Sequence, residues 1–442
     1  MEINDMSTED AVKLDSKHVI HGWGYDPLVL VEGHGSIVVD NEGREYIDCM
    51  SQAHVANIGH SHPRYVAAVK DQVERISHVQ TWHVSIPRAE LARKVADIAP
   101  GKMRNNCKIY FSCGGSEANE TALKFAMVTT GKKQIVTTYY SYFGGTLALA
   151  GLADPGNTPG HAWFRERANT YPGISHIPAP YCYRCPFNLK PDSCDVECAT
   201  YLDQHLTHST AGDVAAFITE PIKSGVGGNI MPCRKEYWSI IQDICEKHGV
   251  LLIIDEVVSG MGRTGKVWSC ELWGFEPDIL TTAKPIGGGI PLGATIIRDD
   301  LVPSGLETEA WHHFTQGGSP IAAAAGIAVV DVMLEENLPA KAERQGDRML
   351  KRLNELRDRH QLIGDVRGAG LLIALELVTD RNTKEPAVEQ GRRVYEESMR
   401  NGVIFGHYPA GTIHIKPPLA ISDDQADRVL EVLDNALTSA AR

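Results

Sequence analysis

The sequence predicts an α/β protein. A large domain is built on a mainly parallel, seven-stranded-type sheet, and both ends of the chain contribute to a smaller α+β domain. Three observations predict it. Between residues 107 and 298 apolar strands alternate with helical stretches. One strand, "VLLIIDEV" (250–257), is nearly all apolar, as strands buried on both faces are. After about residue 320 the chain changes to long charged helices and glycine-punctuated strand pairs. The expected divisions are an N-terminal segment joining the small domain (1–60), the large domain (61–318) and the C-terminal small domain (319–442).

In chain order, "LVLVEG", "GSIVVDNEG" and "REYIDCM" read as a meander with an Asn-Glu-Gly turn. "PRYVAAVKDQVERI" and "PRAELARKVADI" read as helices with proline in the first turn. The strands "CKIYFSC", "QIVTTYY", "VAAFITEP", "VLLIIDEV", "PDILTTAK" and "LGATIIR" follow. Between them lie the helices "SEANETALKFAMVTTG" and "KEYWSIIQDICEKHG", each closed by glycine. Two helices over 320–360, a strand pair in "IGDVRGAGLLIALELV" and a helix from Val388 come next. "TIHIKPPL" is predicted as an edge strand stopped by prolines, before a final helix from Asp423. There is no internal repeat and no low-complexity tract.

The 442 residues exceed one ordinary core, and 43% hydrophobic with 22% charged residues is a globular composition. A net charge of −13 argues against a nucleic-acid partner. The acidic N-terminus lacks the apolar core of a signal peptide, and no apolar run is long enough for a membrane span. Ten cysteines in so long a chain are no disulfide scaffold, so a reduced, cytoplasmic setting is expected.

The chemistry gathers at strand ends. Lys284 stands between the strand "PDIL" and Gly287-Gly288-Gly289. Lysines are ordinarily exposed, but one held at a strand end with a lowered pKa can form a Schiff base. Gly114-Gly115-Ser116 follows a strand and opens a helix, which is an anion-binding arrangement as well as an ordinary N-cap. Asp255 ends the most apolar strand, where a buried carboxylate needs a cationic partner: a protonated pyridine nitrogen, or a structural salt bridge to Arg263. Glu256, beside it, should point elsewhere. Tyr142 and Phe143 precede a Gly-Gly just past a strand and offer an aromatic plane. Thr315 lies in the glycine-rich turn "HHFTQGGSP". An imine-forming lysine, a ring counter-ion, phosphate turns and a stacking ring are together what pyridoxal phosphate requires.

From "GGSEANETALKFA", "YSYFGG", "EPI", "IIDEVVSGMGRTG", "PDILTTAKPIGGGIPLGA", "FTQGGSP", "VRGAGL" and "PPLAIS", the chain resembles the class III pyridoxal-phosphate aminotransferases of fold-type I, over about residues 20 to 440. The resemblance implies pyridoxal 5′-phosphate as cofactor, with Lys284 as Schiff-base lysine and proton shuttle. It implies Asp255 on the ring nitrogen, Gly115 and Ser116 on the phosphate, Tyr142 or Phe143 over the ring, and Glu220 and Val258 near the cofactor. It further implies a homodimer in which Thr315 reaches the neighbouring site, acting on an amine or amino acid and a 2-oxo acid. A lyase releasing ammonia or phosphate from an amino-alcohol phosphate or phosphonate, and a racemase, are the alternatives on this scaffold. Intact Lys284 and Asp255 argue against a non-catalytic binding module.

Three departures bear on substrate. Val258 stands where many members have glutamine. "EPIKSGVGG" lacks the second glutamate of "EPIQGEGG". In "TIHIKPPL", His414 takes the place of a carboxylate-gripping arginine, with Lys416 next on the same strand face. Histidine offers neither a fork nor a permanent charge. Lys223, His414 and Arg367 are candidate anion contacts, Arg367 being more readily structural. Trp23, Tyr25 and Trp82 are candidates for the substrate side. Cys182, Cys185, Cys194 and Cys198 are spaced as CxxC and CxxxC, compatible with structural zinc, free thiols or disulfides. No metal is expected in the catalysis.

Overall fold

The computed structural model describes residues 6–22, 26–153, 172–225, 228–408 and 411–441. Trp23 and Tyr25 lie outside the described residues. A meander of β1 (Leu30–His34), β2 (Ile37–Asp40) and β3 (Glu45–Asp48) opens the sheet structure. The large sheet comprises β4 (Cys107–Ser112), β5 (Gln134–Thr138), β6 (Ile174–Ile177), β7 (Val214–Thr219), β8 (Leu251–Asp255), β9 (Ile279–Thr282) and β10 (Gly293–Arg298). The C-terminal third supplies β11 (Ile363–Ala369), β12 (Leu372–Asp380), β13 (Glu385–Pro386), β14 (Val403–Ile404), β15 (Gly406–Tyr408) and β16 (Thr412–Ile415).

The large sheet has seven strands in the order β4-β10-β9-β8-β7-β5-β6. Neighbours from β9 to β6 pair in parallel, whereas β10 runs antiparallel to both β9 and β4. All six residues of β7 are buried, and four of five in β8, because helices cover both faces. The helix Pro320–Glu335 packs instead on the helices Pro63–Arg75 and Ile86–Ile98; it is mostly apolar and starts with proline at its first turn. Gly326 lets it approach the helix Ile86–Ile98: a Cβ there would lie 2.9 Å from Leu91 Cδ2.

The parallel arrangement brings the carboxyl ends of β4, β5, β7, β8 and β9 to one edge. Gly115, Tyr142, Glu220, Asp255 and Lys284 all lie at or within four residues of those ends.

β3 pairs in parallel with β14, so the N-terminal meander shares a sheet with residues 403–404. The remaining strands run β11-β12-β16-β15. β16 is flanked on both sides, so the expected edge strand "TIHIKPPL" is an interior one. Its prolines follow the last paired residue and never enter the ladder.

Arg367 on β11 bonds Glu376 (2.8 Å) and Asp365 (2.7 Å), and its Nε donates to the Gly228 carbonyl (2.6 Å). Arg184 and the Tyr181 hydroxyl also bond Glu376. Arg367 is thus spent on structure, tying β11 and β12 to the 181–184 loop. Removing one member of a buried ion pair strands the other. Glu376→Ala should therefore cost about 3–5 kcal/mol in urea unfolding.

Candidate active site

β8 delivers Asp255 to the sheet edge fully enclosed by protein. Its Oδ2 accepts from Asn119 Nδ2 at 2.7 Å and its Oδ1 from the Val257 N–H at 2.8 Å. Burial pushes this carboxyl up to about 6, against the pull of those donors and of Lys284. Arg263, the alternative partner, does not bond it. Its guanidinium, fully buried and pulled down to about 9 by burial, donates to the carbonyls of Leu371 and Pro417, to Ser51 Oγ (3.1 Å) and to Asn57 Oδ1 (2.5 Å). Glu256 turns away from the edge, as alternation predicts, and accepts from Ser259, Ser269 and the Cys270 N–H.

Asn119 connects the edge. Besides Asp255 it donates to the Phe143 carbonyl (2.8 Å), and its Oδ1 accepts from Thr281 Oγ1 (2.7 Å). One amide on the helix after β4 therefore links β8, β9 and the turn after β5. The sequence hinted at this only as a polar residue three positions after Ser116.

Lys284 is half-buried just after β9, with φ of 43° in the left-handed region, followed by Pro285 and by Gly288 at φ 57°. A lysine rarely adopts that conformation, and such residues cluster at functional sites. Burial lowers its pKa, while Asp255 and Glu220 oppose the shift.

The two glycine turns meet. The helix Gly115–Thr130 begins at Gly114 without a side-chain cap, and a Cβ on Gly114 would meet open space. Ser116 Oγ accepts from the Gly145 N–H at 3.3 Å. A Cβ on Gly144 (φ 139°) would collide with that hydroxyl, and one on Gly115 would come 2.9 Å from Val257 Cγ1. Val257, rather than the half-buried Val258, packs on this turn. The Tyr142 N–H donates to Glu220 Oε2 (3.0 Å), and the Tyr142 ring is half-buried. Phe143 instead packs its ring among Ala122, Leu149 and Ile218 in an apolar cluster. It supplies the site with its carbonyl only.

Glu220 is buried and pushed up to about 7, first by burial and then by Asp255. Buried Lys223 is lowered to about 8 by burial and donates to Thr219 Oγ1 at 2.7 Å. His414 is fully buried on β16. Thr315 is exposed in its turn, whose glycines press on the Phe111 backbone and side chain. Trp82 is 70% exposed, beside His313, in a surface cleft shared with Tyr110 and His312. None of the Lys284 neighbours named above lines that cleft.

All ten cysteines are free. Cys182, Cys185, Cys194 and Cys198 border a small apolar recess, and the Cys182 thiol is pulled down to about 7 by a hydrogen bond with Cys233. Among the described residues no three His, Cys, Asp or Glu side chains are placed to hold a metal ion, and no helix is long and apolar enough to cross a membrane.

An amine, an enclosed carboxylate that has no cationic partner at bonding distance among the described residues, and an open helix start at one sheet edge define an enzyme built around a pyridine-ring cofactor. The family model for aminotransferase class III matches residues 21–437, and the chain belongs to that family. It is 37% identical to a leucine/methionine racemase of Thermococcus litoralis, over 93% of this chain and 91% of that protein. It is 34% identical to an isoleucine 2-epimerase of Lentilactobacillus buchneri, over 94% and 91% respectively. Among solved structures, a thermostable (S)-enantioselective omega-transaminase from Thermomicrobium roseum superposes with a TM-score of 0.91 at 32% identity, covering 99% of this chain and all of that one. The cofactor is pyridoxal 5′-phosphate. The site fits it in two observed respects: the uncapped, unobstructed helix start at Gly114, and the raised Asp255 carboxyl that a ring N–H would satisfy.

The raised Asp255 value has a stability consequence. With the folded value above the unfolded one, its contribution is full below 3.8 and lost as pH rises through about 6. Relative to Asp255→Asn, the cofactor-free protein should lose roughly 1 kcal/mol of stability between pH 5 and pH 8. Urea unfolding at a series of pH values checks this, and cofactor loading should abolish the trend.

Asn119→Ala should destabilise the fold by about 2–4 kcal/mol. It leaves Thr281 Oγ1 and Asp255 Oδ2 without their partner.

Proposed function

We propose that this chain transfers an amino group between an amino acid or amine and a 2-oxo acid. The observation carrying the reading is the strained Lys284 amine, with its lowered pKa, at the sheet edge that also holds Asp255. Bound pyridoxal phosphate supplies an electron sink at the substrate's α-carbon. Lys284 anchors the cofactor, and its amine, once released, takes a proton from that carbon and returns one. Asp255, oriented by Asn119, holds the ring N–H. The glycine turns around Ser116 take the phosphate, Tyr142 flanks the ring, and Glu220 pins the Tyr142 backbone.

We further propose a homodimer in which Thr315 and Trp82 face the neighbouring site. Trp82, Val84 and Ile86 support it, because all three are 70% exposed or more on one short segment.

A second reading, racemisation or epimerisation of amino acids, is favoured by a specific observation. The racemase and the epimerase match this chain over nine-tenths of their length. It requires proton return to the opposite face of the same carbon, and Lys223, lowered to about 8, is a candidate donor.

The test mixes cofactor-loaded protein with single amines and amino acids, without any 2-oxo acid. Transfer converts the visible absorbance of the bound cofactor stoichiometrically, without free ammonia. Continuous ammonia release would identify a lyase and overturn the proposal. Loss of optical rotation with unchanged absorbance would identify a racemase instead. Lys284→Ala should abolish the absorbance change and lower turnover by at least about a thousandfold.

A further inference from the structure

One buried charge close to the site has no role in the reading above. Lys416 follows β16 and is fully buried. Its backbone is clamped: its N–H donates to the Cys49 carbonyl (2.7 Å), and its own carbonyl accepts from Ser51 Oγ (2.6 Å). Its Nζ donates one hydrogen bond, to the Ser224 carbonyl at 3.0 Å. An ammonium has three donors. Among the described residues no carboxylate stands at ion-pair distance from Nζ; burial first, then Arg263 and Lys284, push its pKa well below the ordinary lysine value, against the pull of Glu220.

The surroundings repeat the pattern. Residues Ser51 to His54 form a turn of four consecutive non-glycine residues in the left-handed region, with φ of 48°, 44°, 61° and 69°. Such a turn costs about 1–2 kcal/mol per residue. Asp48 compensates by accepting from the Met50 and Gln52 N–H groups, each at 2.9 Å. The turn packs against the Lys284–Gly287 segment. It carries His54, buried, with Nδ1 lacking a partner among the described residues and with Lys416, Lys284, Arg263 and His414 as its electrostatic surroundings. Across the Lys223–Ile230 bridge, the next residue in from Ile230 is Asn229, buried with both amide atoms unpartnered among the described residues. The next from Lys223 is Ser224, the residue that holds Lys416.

Holding Lys416 as a cation beside Arg263 and Lys284 costs several kcal/mol, so an anion arriving beside Nζ is what would favour its charged form. Arg263 offers a ligand no fork, since both terminal nitrogens are engaged by four oxygens and only Nε lacks a partner among the described residues. Lys416 has donors to spare. We propose that Lys416, with His54 beside it, forms the subsite that grips the carboxylate of the amino acid and of the 2-oxo acid. It does so in place of an arginine at position 414. One ammonium and one imidazole suit a singly charged, two-oxygen group better than a phosphate dianion. The subsite rests on the amino-transfer reading for its substrate class, but its occupancy is measured without turnover.

The test uses butyrate, which has neither an amine nor a reactive carbonyl, titrated calorimetrically into the cofactor-loaded protein. The wild type should bind butyrate, and more tightly than it binds methylphosphonate. Lys416→Met should weaken butyrate binding by about tenfold or more. Lys416→Gln keeps an N–H for Ser224 while removing the charge, and should show a comparable loss. Thermal melting of both variants checks that they fold. Equal butyrate affinity in the wild type and in the folded variants would overturn the proposal. So would no butyrate binding by the wild type, or methylphosphonate binding more tightly and depending on Lys416. A protein that binds butyrate through Lys416 yet transfers no amine would sink the function proposed above and leave the subsite standing.

Discussion

Desolvation of charge at the carboxyl edge of the seven-stranded sheet is the constraint on which the rest depends. Asp255 and Glu220 lie within a few residues of buried strands that supply no water to solvate them. The carboxyls drift upward and the Lys284 amine downward, because each neutral form is cheaper to bury. What keeps the edge from collapsing into an apolar core is Asn119. It satisfies Asp255, Thr281 and the Phe143 carbonyl at once and so fixes where the carboxylate stands. The glycine turns around Gly115 and Gly144 then bring backbone close to the same edge, where a Cβ would meet Val257 or Ser116.

A second junction secures the first. Arg263, on the loop after β8, bonds the Ser51 hydroxyl, the Asn57 amide and the carbonyls of Leu371 and Pro417. Residues from the N-terminal, central and C-terminal parts of the sequence therefore converge on one guanidinium. Four fixed oxygens around its terminal nitrogens hold the left-handed turn and the β16 exit in register beside Lys284.

How much of this was legible follows from where the signals lie. The strand ends carrying Lys284, Asp255, Glu220 and the Gly114–Ser116 turn were readable, because an apolar run followed by glycine or a charged residue marks both a strand and its end. The aromatic turn was half-readable. "YFGG" gives two rings, and only packing shows that Phe143 enters the apolar cluster while Tyr142 stays at the edge. "TIHIKPPL" misled, because prolines after a strand look alike whether the strand is central or at an edge. That Val257 packs on the Gly115 turn had no signal of its own in "DEVVSG". The turn at Ser51–His54 left no trace: "SQAH" contains no glycine, so nothing announces four positive φ angles. Arg263 entered only as an alternative partner for Asp255, and its four bonds lie elsewhere, since nearness in sequence says little about where a long side chain ends.

The division of labour has a consequence for substrate choice. The groups assigned to the cofactor come from the sheet edge, where any shift of a strand would disturb the Asn119 network. His54, Lys223 and Lys416 come from a turn, a loop and a strand exit, held by backbone hydrogen bonds that do not depend on side-chain identity. Exchanging one of those side chains leaves the sheet register intact. A scaffold arranged this way can keep one cofactor chemistry while changing what it binds, consistent with racemase, epimerase and transaminase names among similar chains. In both proposed reactions Lys284 and Asp255 have the same part, so on this proposal the choice between transfer and racemisation rests with whichever loop group can return a proton to the far face of the substrate carbon.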